Sequence, residues 1–164
     1  MGLVEYKEKV IQPLRQLTLV VPVKGNEVLL GMKKRGFGAK RWNGFGGKLN
    51  PGETLLDAMY REMQEEVGLK LKRFDQVATL DFYFPPNPDW NQQVIVFLAT
   101  EWEGKPQESE EMLPKWFKID EIPYEEMWQD DKFWLPKVLQ GEKLYGEFLF
   151  TEGDLLLEHN IKLE

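Results

Sequence analysis

The chain of 164 residues predicts an α/β fold, with a central mixed β-sheet covered on both faces by helices. Three observations carry that expectation. A single amphipathic helix with well-signalled ends sits near residues 53–67. β-rich runs lie on both sides of it in sequence, arranged as hairpin-like pairs. The last third adds further helix before two closing strands. A helix set among strands in this way buries its apolar stripe only against a sheet, and the later helices need the opposite face.

Residues 1–16 carry mixed charge, including Glu5, Lys7, Glu8 and Lys9. They lack the apolar core of a secretory signal and the acid-poor bias of a transit peptide. They are expected as an N-terminal extension or an edge strand ahead of a single domain over residues 17–164. Leu17 to Val23 is β-rich, Lys24-Gly25-Asn26 turns the chain and Glu27 to Lys34 begins a second run, so a hairpin is expected. On pattern alone Thr18 reads as a strand former and Lys33 as an exposed charge.

Arg35 to Lys48, RGFGAKRWNGFGGK, is a glycine-rich loop with Phe37, Trp42 and Phe45 interleaved. Bare backbone before a helix often approaches phosphates, although this spacing is not the P-loop pattern. Asn50-Pro51-Gly52 then form a turn. Glu53 and Thr54 open the helix where acid and hydroxyl suit its positive end, and Gly68 stops it after Val67. Leu69 to Phe84 and Gln92 to Trp102 are strands joined by PPNPDWN. Glu108 to Met112 is an acidic loop and Trp116 to Ile119 a short strand. Asp120 caps a helix from Glu121 to about Met127. Trp128-Gln129-Asp130-Asp131 precedes another helix to about Leu139. Leu144 to Phe150 and Leu155 to Leu157 close the sheet.

The composition narrows the chemistry. A hydrophobic content of 42% over this length supports one domain with a sizeable core. A net charge of −7 and a pI near 4.9 argue against nucleic-acid polymers and anionic membranes as partners, but leave nucleotides handled through a cation open. The absence of cysteine removes disulfides, thiolate metal sites and a cysteine nucleophile, and makes a reducing cytoplasm the simplest compartment. The one histidine, His159, reads as a surface or strand residue. Acid-base chemistry is left to carboxylates, lysines, tyrosines or metal-bound water.

At about 100° per residue, Leu56, Met59, Met63 and Val67 form one apolar stripe, with Glu62, Glu65 and Glu66 along its border. A solvated acidic face is the ordinary fate of such charges. Here like charges at i, i+3 and i+4 repel, and only Arg61, Lys70 and Lys72 lie near in sequence to offset them. A hard divalent cation suits the set, because Mg²⁺ takes oxygen ligands from a few carboxylates and keeps positions for water and phosphate.

These residues also spell a family motif. Gly47, Glu53, Arg61, Glu62, Met63, Glu65, Glu66, Gly68 and Leu69 fill every fixed position of the Nudix box, G-x5-E-x7-R-E-U-x-E-E-x-G-U, without a gap. A chance fit in a chain of this length is below roughly one in a million. From about Leu17 to Phe150 the sequence resembles the MutT-like Nudix hydrolases of mammalian type, which remove oxidised purine nucleoside triphosphates. The specific stretches are LLGMKKRGFGAKRWNGFGGK, EMLPKWF and IPYEEMWQDDKFWLP.

The resemblance implies an α/β/α Nudix sandwich and a small-molecule nucleotide substrate, acted on by a monomer. It implies Mg²⁺, with Mn²⁺ as a substitute, on Glu62, Glu65, Glu66, Glu111 and the Gly46 carbonyl. Glu66 or Glu111 would serve as base, Arg61 would hold the carboxylates and Glu53 would support the loop. Purine recognition would fall to Asn43, Asp130 and Asp131, with Trp128 stacking on the base beside Gln129, and Phe37, Phe82 and Phe84 lining the pocket. Thr18, Lys33 and the loop Phe45, Gly46, Gly47 and Lys48 would touch sugar or phosphates. An amide offers donor and acceptor to a base edge, and two adjacent buried carboxyls retain a proton between them, which suits that assignment.

Leu17 departs from the tyrosine that the mammalian relatives place there. Pro85 keeps ADP-ribose hydrolysis as an alternative, together with dinucleoside polyphosphates or methylated purine nucleotides. A non-catalytic Nudix-like nucleotide sensor is the alternative of another class, against which stands a box with every carboxylate in place.

Overall fold

The computed structural model describes residues 1–164. Eight strands form one sheet: β1 (Arg15–Lys24), β2 (Glu27–Lys33), β3 (Trp42–Asn43), β4 (Lys70–Tyr83), β5 (Gln92–Glu103), β6 (Met112–Lys118), β7 (Leu144–Thr151) and β8 (Leu155–Leu163). Their order is β3-β2-β1-β5-β4-β7-β8, with β6 against β2. The β1/β5 and β4/β7 pairs are parallel and the others antiparallel, so the sheet is mixed as expected. The helices are α1 (Leu3–Lys9), α2 (Leu55–Val67) and α3 (Asp131–Leu139).

Alternation along the strands divides the apolar side chains between two faces. On one, Met59, Met63 and Val67 of α2 pack against Val20, Leu29, Phe45, Ile95 and Phe97. On the other, Trp134, Leu135 and Val138 of α3 pack with Val21, Leu30, Leu80, Val94 and Phe148. That is the α/β/α arrangement, and it places the C-terminal part of α2 and the start of α3 within reach of one cleft.

The ends of α2 explain its position. The Thr54 hydroxyl accepts from the Asp57 N–H and the Asp57 carboxylate accepts from the Thr54 N–H, both at 3.1 Å, forming a capping box. Gly68 takes the left-handed conformation at φ 74° and closes the helix, as expected. The helix starts at Leu55, so Glu53 stands outside it. Leu56 is 42% exposed, and the buried stripe is Ala58, Met59, Met63 and Val67 with Glu66 among them.

Three further expectations are revised. Residues 3–9 form α1 rather than an edge strand, and Leu3 and Tyr6 bury against Tyr83 and Leu149. Residues 121–127 do not form a helix. Pro123 lacks an N–H and restricts Ile122, so the chain breaks into single 3₁₀ turns over Ile119–Glu121 and Tyr124–Glu126. β6 and β8 are longer than their apolar patches, because pairing with β2 and β7 recruits Lys115 and the stretch Glu158 to Lys162, polar except for Ile161. His159 lies on β8, stacked on Phe133 with ring centroids 4.1 Å apart.

Candidate active site

The glycine-rich loop is laid along β1. Phe45 exchanges both backbone hydrogen bonds with Val20, at 2.9 and 2.6 Å, and the Thr18 N–H donates to the Gly47 carbonyl at 2.9 Å. At Gly46 the approach is so close that a Cβ would stand 1.9 Å from the Thr18 carbonyl oxygen, which restricts this position to glycine. The Gly46 N–H is thereby aimed at α2 and donates to Glu66 Oε1 at 2.7 Å, while its carbonyl carries no backbone hydrogen bond.

Arg61 organises the acidic helix. Its Nε and Nη2 grip both oxygens of Glu53, at 2.7 and 2.9 Å, and Nη2 also donates to the Lys48 carbonyl at 3.0 Å. Nη1 reaches Glu62 at 2.8 Å and Glu65 at 3.2 Å. Glu53 further accepts from the Asn50 N–H at 2.7 Å. These hydrogen bonds hold the Glu53 carboxyl down at about 2, and its carboxylate in turn raises the Arg61 guanidinium above its ordinary range. One arginine therefore ties the turn before α2 to the middle of the helix.

The three helical glutamates differ sharply. Glu66 is 4% exposed, Glu62 is half-buried and the Glu65 side chain is 57% exposed. Burial pushes the Glu66 carboxyl up to about 8, with the charges of Glu62 and Glu111 adding to the rise and the Gly46 N–H opposing it. Burial also raises Glu62, against the pull of Arg61. Glu111 follows a turn in which Ser109 Oγ accepts from its N–H at 3.3 Å. No three carboxylates converge on one point, since Arg61 draws Glu62 and Glu65 to itself and Gly46 turns Glu66. The donors nonetheless suit a hard cation: hard oxygens, two of them desolvated, raising one another's affinity for protons.

Beside this helix lies a cavity of about 150 Å³. Cavities of roughly this size admit an aromatic ring. Thr18, Lys33, Phe37, Asn43, Gly46, Gly47, Glu66, Phe82, Phe84, Trp128, Asp130 and Asp131 all line it, so residues singled out from five separate stretches of sequence meet. Asn43 Oδ1 accepts from the Gly44 N–H at 2.8 Å, which leaves its amide NH₂ free to donate. Asp130 accepts from the Trp134 indole N–H at 2.8 Å. Burial raises both Asp130 and Asp131, and the neighbouring Asp130 charge raises Asp131 further, so a proton stays with the pair. Thr18 Oγ1 and Asp131 Oδ2 are buried without a hydrogen-bond partner. Such orphaned atoms in a pocket wall are paired by whatever occupies it.

Three side chains stand elsewhere. Phe45 is fully buried in the core beneath α2, because its backbone pairing with Val20 turns the ring away from the cavity. Lys48 is exposed, and its carbonyl serves Arg61. Gln129 faces the β7–β8 turn, where Oε1 accepts from the Leu156 N–H at 2.7 Å. Sequence reasoning missed Gln92, Leu80, Val94, Met112 and Trp134 in the lining. Gln92 was within reach, as an amide two residues before Val94 and so on the same face of the strand run that becomes β5. Trp134 was also within reach, four residues beyond Asp130 on α3.

Sheet, flanking helices and arginine-braced acidic helix together define a class, and the chain belongs to the NUDIX domain family, which matches residues 14–138. Individual relatives narrow the likeness. The chain is 45% identical to the oxidized purine nucleoside triphosphate hydrolase of Mus musculus over 90% of this chain and 94% of that protein. It is 46% identical to the protein of the same name from Danio rerio, over 88% and 92%. Among solved structures it is similar to a Mutator MutT protein from Bacillus halodurans, with a TM-score of 0.81, 29% identity, and 91% and 98% of the two chains covered.

Proposed function

We propose that this protein hydrolyses oxidised purine (deoxy)nucleoside triphosphates, such as 8-oxo-dGTP and 2-hydroxy-dATP, to the monophosphate and pyrophosphate. The observation that carries the reading is the meeting of Asn43 with the buried Asp130–Asp131 pair in a cavity that also contains Glu66. The names of the mouse and zebrafish relatives support the same substrate class. An amide donor and a carboxyl pair that retains a proton can pair with the edges of more than one oxidised purine.

The carboxylates of Glu62, Glu65, Glu66 and Glu111 and the Gly46 carbonyl would hold Mg²⁺, or Mn²⁺ in its place. When bound, the cation neutralises phosphate charge and makes water more acidic. The chain's own groups do the rest. Lys33 and the Gly46-Gly47 backbone, which line the cavity, would meet the phosphates, and Arg61 keeps Glu62 in place through Nη1. With a cation's charge beside it to keep it ionised, Glu66 would hold one oxygen on the Gly46 N–H and offer the other to the proton of the attacking water, with Glu111 as the second candidate base. The water would attack phosphorus at the α–β anhydride, its oxygen staying on the phosphate attacked while the bridging oxygen leaves with the other product and the water proton passes to the base.

Purified protein with Mg²⁺, given oxidised and ordinary dNTPs in parallel, is expected to turn over the oxidised ones preferentially, with pyrophosphate as product. Equal turnover of both sets, or none of the oxidised set, overturns the substrate assignment. Glu66→Gln is expected to lower kcat by roughly 10²–10⁴-fold while leaving the far-ultraviolet circular dichroism unchanged. Near-normal activity in that variant removes Glu66 from the mechanism.

A further inference from the structure

The Trp128 indole is a wall between two spaces. One side belongs to the cavity described above, and the other to a second recess lined by Arg41, Met127, Gln129, Lys132 and Asp154. In that outer recess the Arg41 guanidinium lies over the indole, with Cζ 4.2 Å from the ring centroid. Arg41 is itself held, since Nη2 donates to Asp154 Oδ2 at 2.9 Å and both side chains are about 30% exposed. Asp154 sits in the turn between β7 and β8 with φ 58°, a left-handed conformation that L side chains adopt at a cost. The strand that follows meets the neighbouring residue, because the Leu156 N–H at the start of β8 donates to Gln129 Oε1. One contact from this turn and one from the start of β8 thus hold the Trp128-Gln129 segment, far in sequence from either motif.

We propose that Arg41 and Asp154 are positioning residues for the base pocket: the β7–β8 turn braces the Trp128 indole from outside through the Arg41 guanidinium and so sets how tightly a purine nucleotide is held. This rests on the reading that a purine enters the cavity. Trp128 is buried, with Phe37 at 5.1 Å and 30° to the ring and Phe84 and Phe150 edge-on, and none of these apolar contacts fixes the indole by a polar or charged interaction. A planar cation anchored at its far end by a carboxylate supplies that interaction, and lysine cannot reproduce the flat stacking surface. Neither residue touches the acidic helix, so the effect belongs to nucleotide binding and not to the chemical step.

The test joins two readouts on the full-length protein. In ligand-free protein the Trp128 indole N–H resonance, assigned through Trp128→Phe, is expected to be sharp and to broaden or shift in both Arg41→Ala and Asp154→Asn. With the oxidised purine triphosphates, Arg41→Ala is expected to raise KM roughly three- to thirtyfold, the range a cation–π contact spans, with kcat within about twofold. Arg41→Lys is expected to recover part of the loss, and Arg41→Ala with Asp154→Asn should lose no more than Arg41→Ala alone. An unchanged indole resonance in Arg41→Ala overturns the brace, and an altered resonance with unchanged KM overturns its role in binding. If the wild-type protein turns over no oxidised purine triphosphate, the substrate reading fails on its own, and the resonance alone then decides whether the brace exists.

Discussion

Asp130 and Asp131 show how much one buried pair can determine. Burial pushes the Asp130 carboxyl up to about 6, and the Trp134 indole N–H only partly offsets this. In the unfolded chain an aspartate titrates near 3.9. Because the folded value is the higher one, the stability gained by keeping the proton is complete below about pH 4. It is lost as pH rises through about 6. Ligand-free protein is therefore expected to lose thermal stability between about pH 4 and 7. Asp130→Asn with Asp131→Asn should flatten that part of the curve, as followed by calorimetric Tm at half-unit intervals. Parallel curves for the two proteins would mean that the pair is ionised and solvated at all these values. The pair was visible in sequence only as two adjacent acids, which ordinarily cap a helix. Asp130 does stand at the N-cap of α3, yet it makes no side-chain cap bond there and points to Trp134 instead.

Among the elements, α1 is where local sequence says least and packing most. Seven residues of mixed charge make a marginal helix alone. This one is stabilised by Leu3 and Tyr6 against Tyr83 and Leu149, by the Leu3 N–H to Glu158 and by Asn91 Nδ2 donating to the Tyr6 hydroxyl at 3.1 Å. It also brings Lys7 to Glu147, whose buried Oε2 has no hydrogen bond of good geometry and is met by that ammonium alone. Removing the lysine leaves a charge 5% exposed without a partner. Lys7→Met should cost about 1–3 kcal/mol in urea unfolding, less than a fully enclosed pair because Lys7 is 39% exposed. Glu147→Leu added to Lys7→Met should restore most of it. A neutral Lys7→Met would mean that Glu147 reaches water. By contrast, α2 was legible almost to the residue, because a capping box and a left-handed glycine are local signals. Glu66, expected on the border of the apolar stripe, lies within the buried stripe, because the packing angle against the sheet is a tertiary quantity.

On the scale of the molecule, two apolar clusters on opposite faces of one sheet share the same strands. Strands common to both layers couple them, so unfolding is expected as one cooperative transition. Met63→Ala beneath α2 should cost about 2–5 kcal/mol and Trp134→Ala beneath α3 about 3–5 kcal/mol. With no shared contacts the two should add within roughly 0.5 kcal/mol. A separate early transition in Trp134→Ala, seen by tryptophan fluorescence ahead of circular dichroism, would show that the α3 layer folds independently. The cleft exists because both layers end at the same side of the sheet. The loop before α2 and the start of α3 come together there although some eighty residues separate them.

By itself the sequence determined the fold class, the bounds and acidic edge of the central helix, and the family, since each depends on periodicity, capping and spacing within a few turns of chain. It also supplied, through likeness to that family, many of the residues that meet in the cavity, though not Gln92 or Trp134. Only the tertiary structure decided which glutamate is buried, that Phe45 turns into the core while Gln129 turns to β8, that residues 3–9 form a helix, and that Arg41 and Asp154 stand behind Trp128. Those outcomes depend on contacts between segments distant in the chain, where burial and charge pairing are set by what arrives from elsewhere.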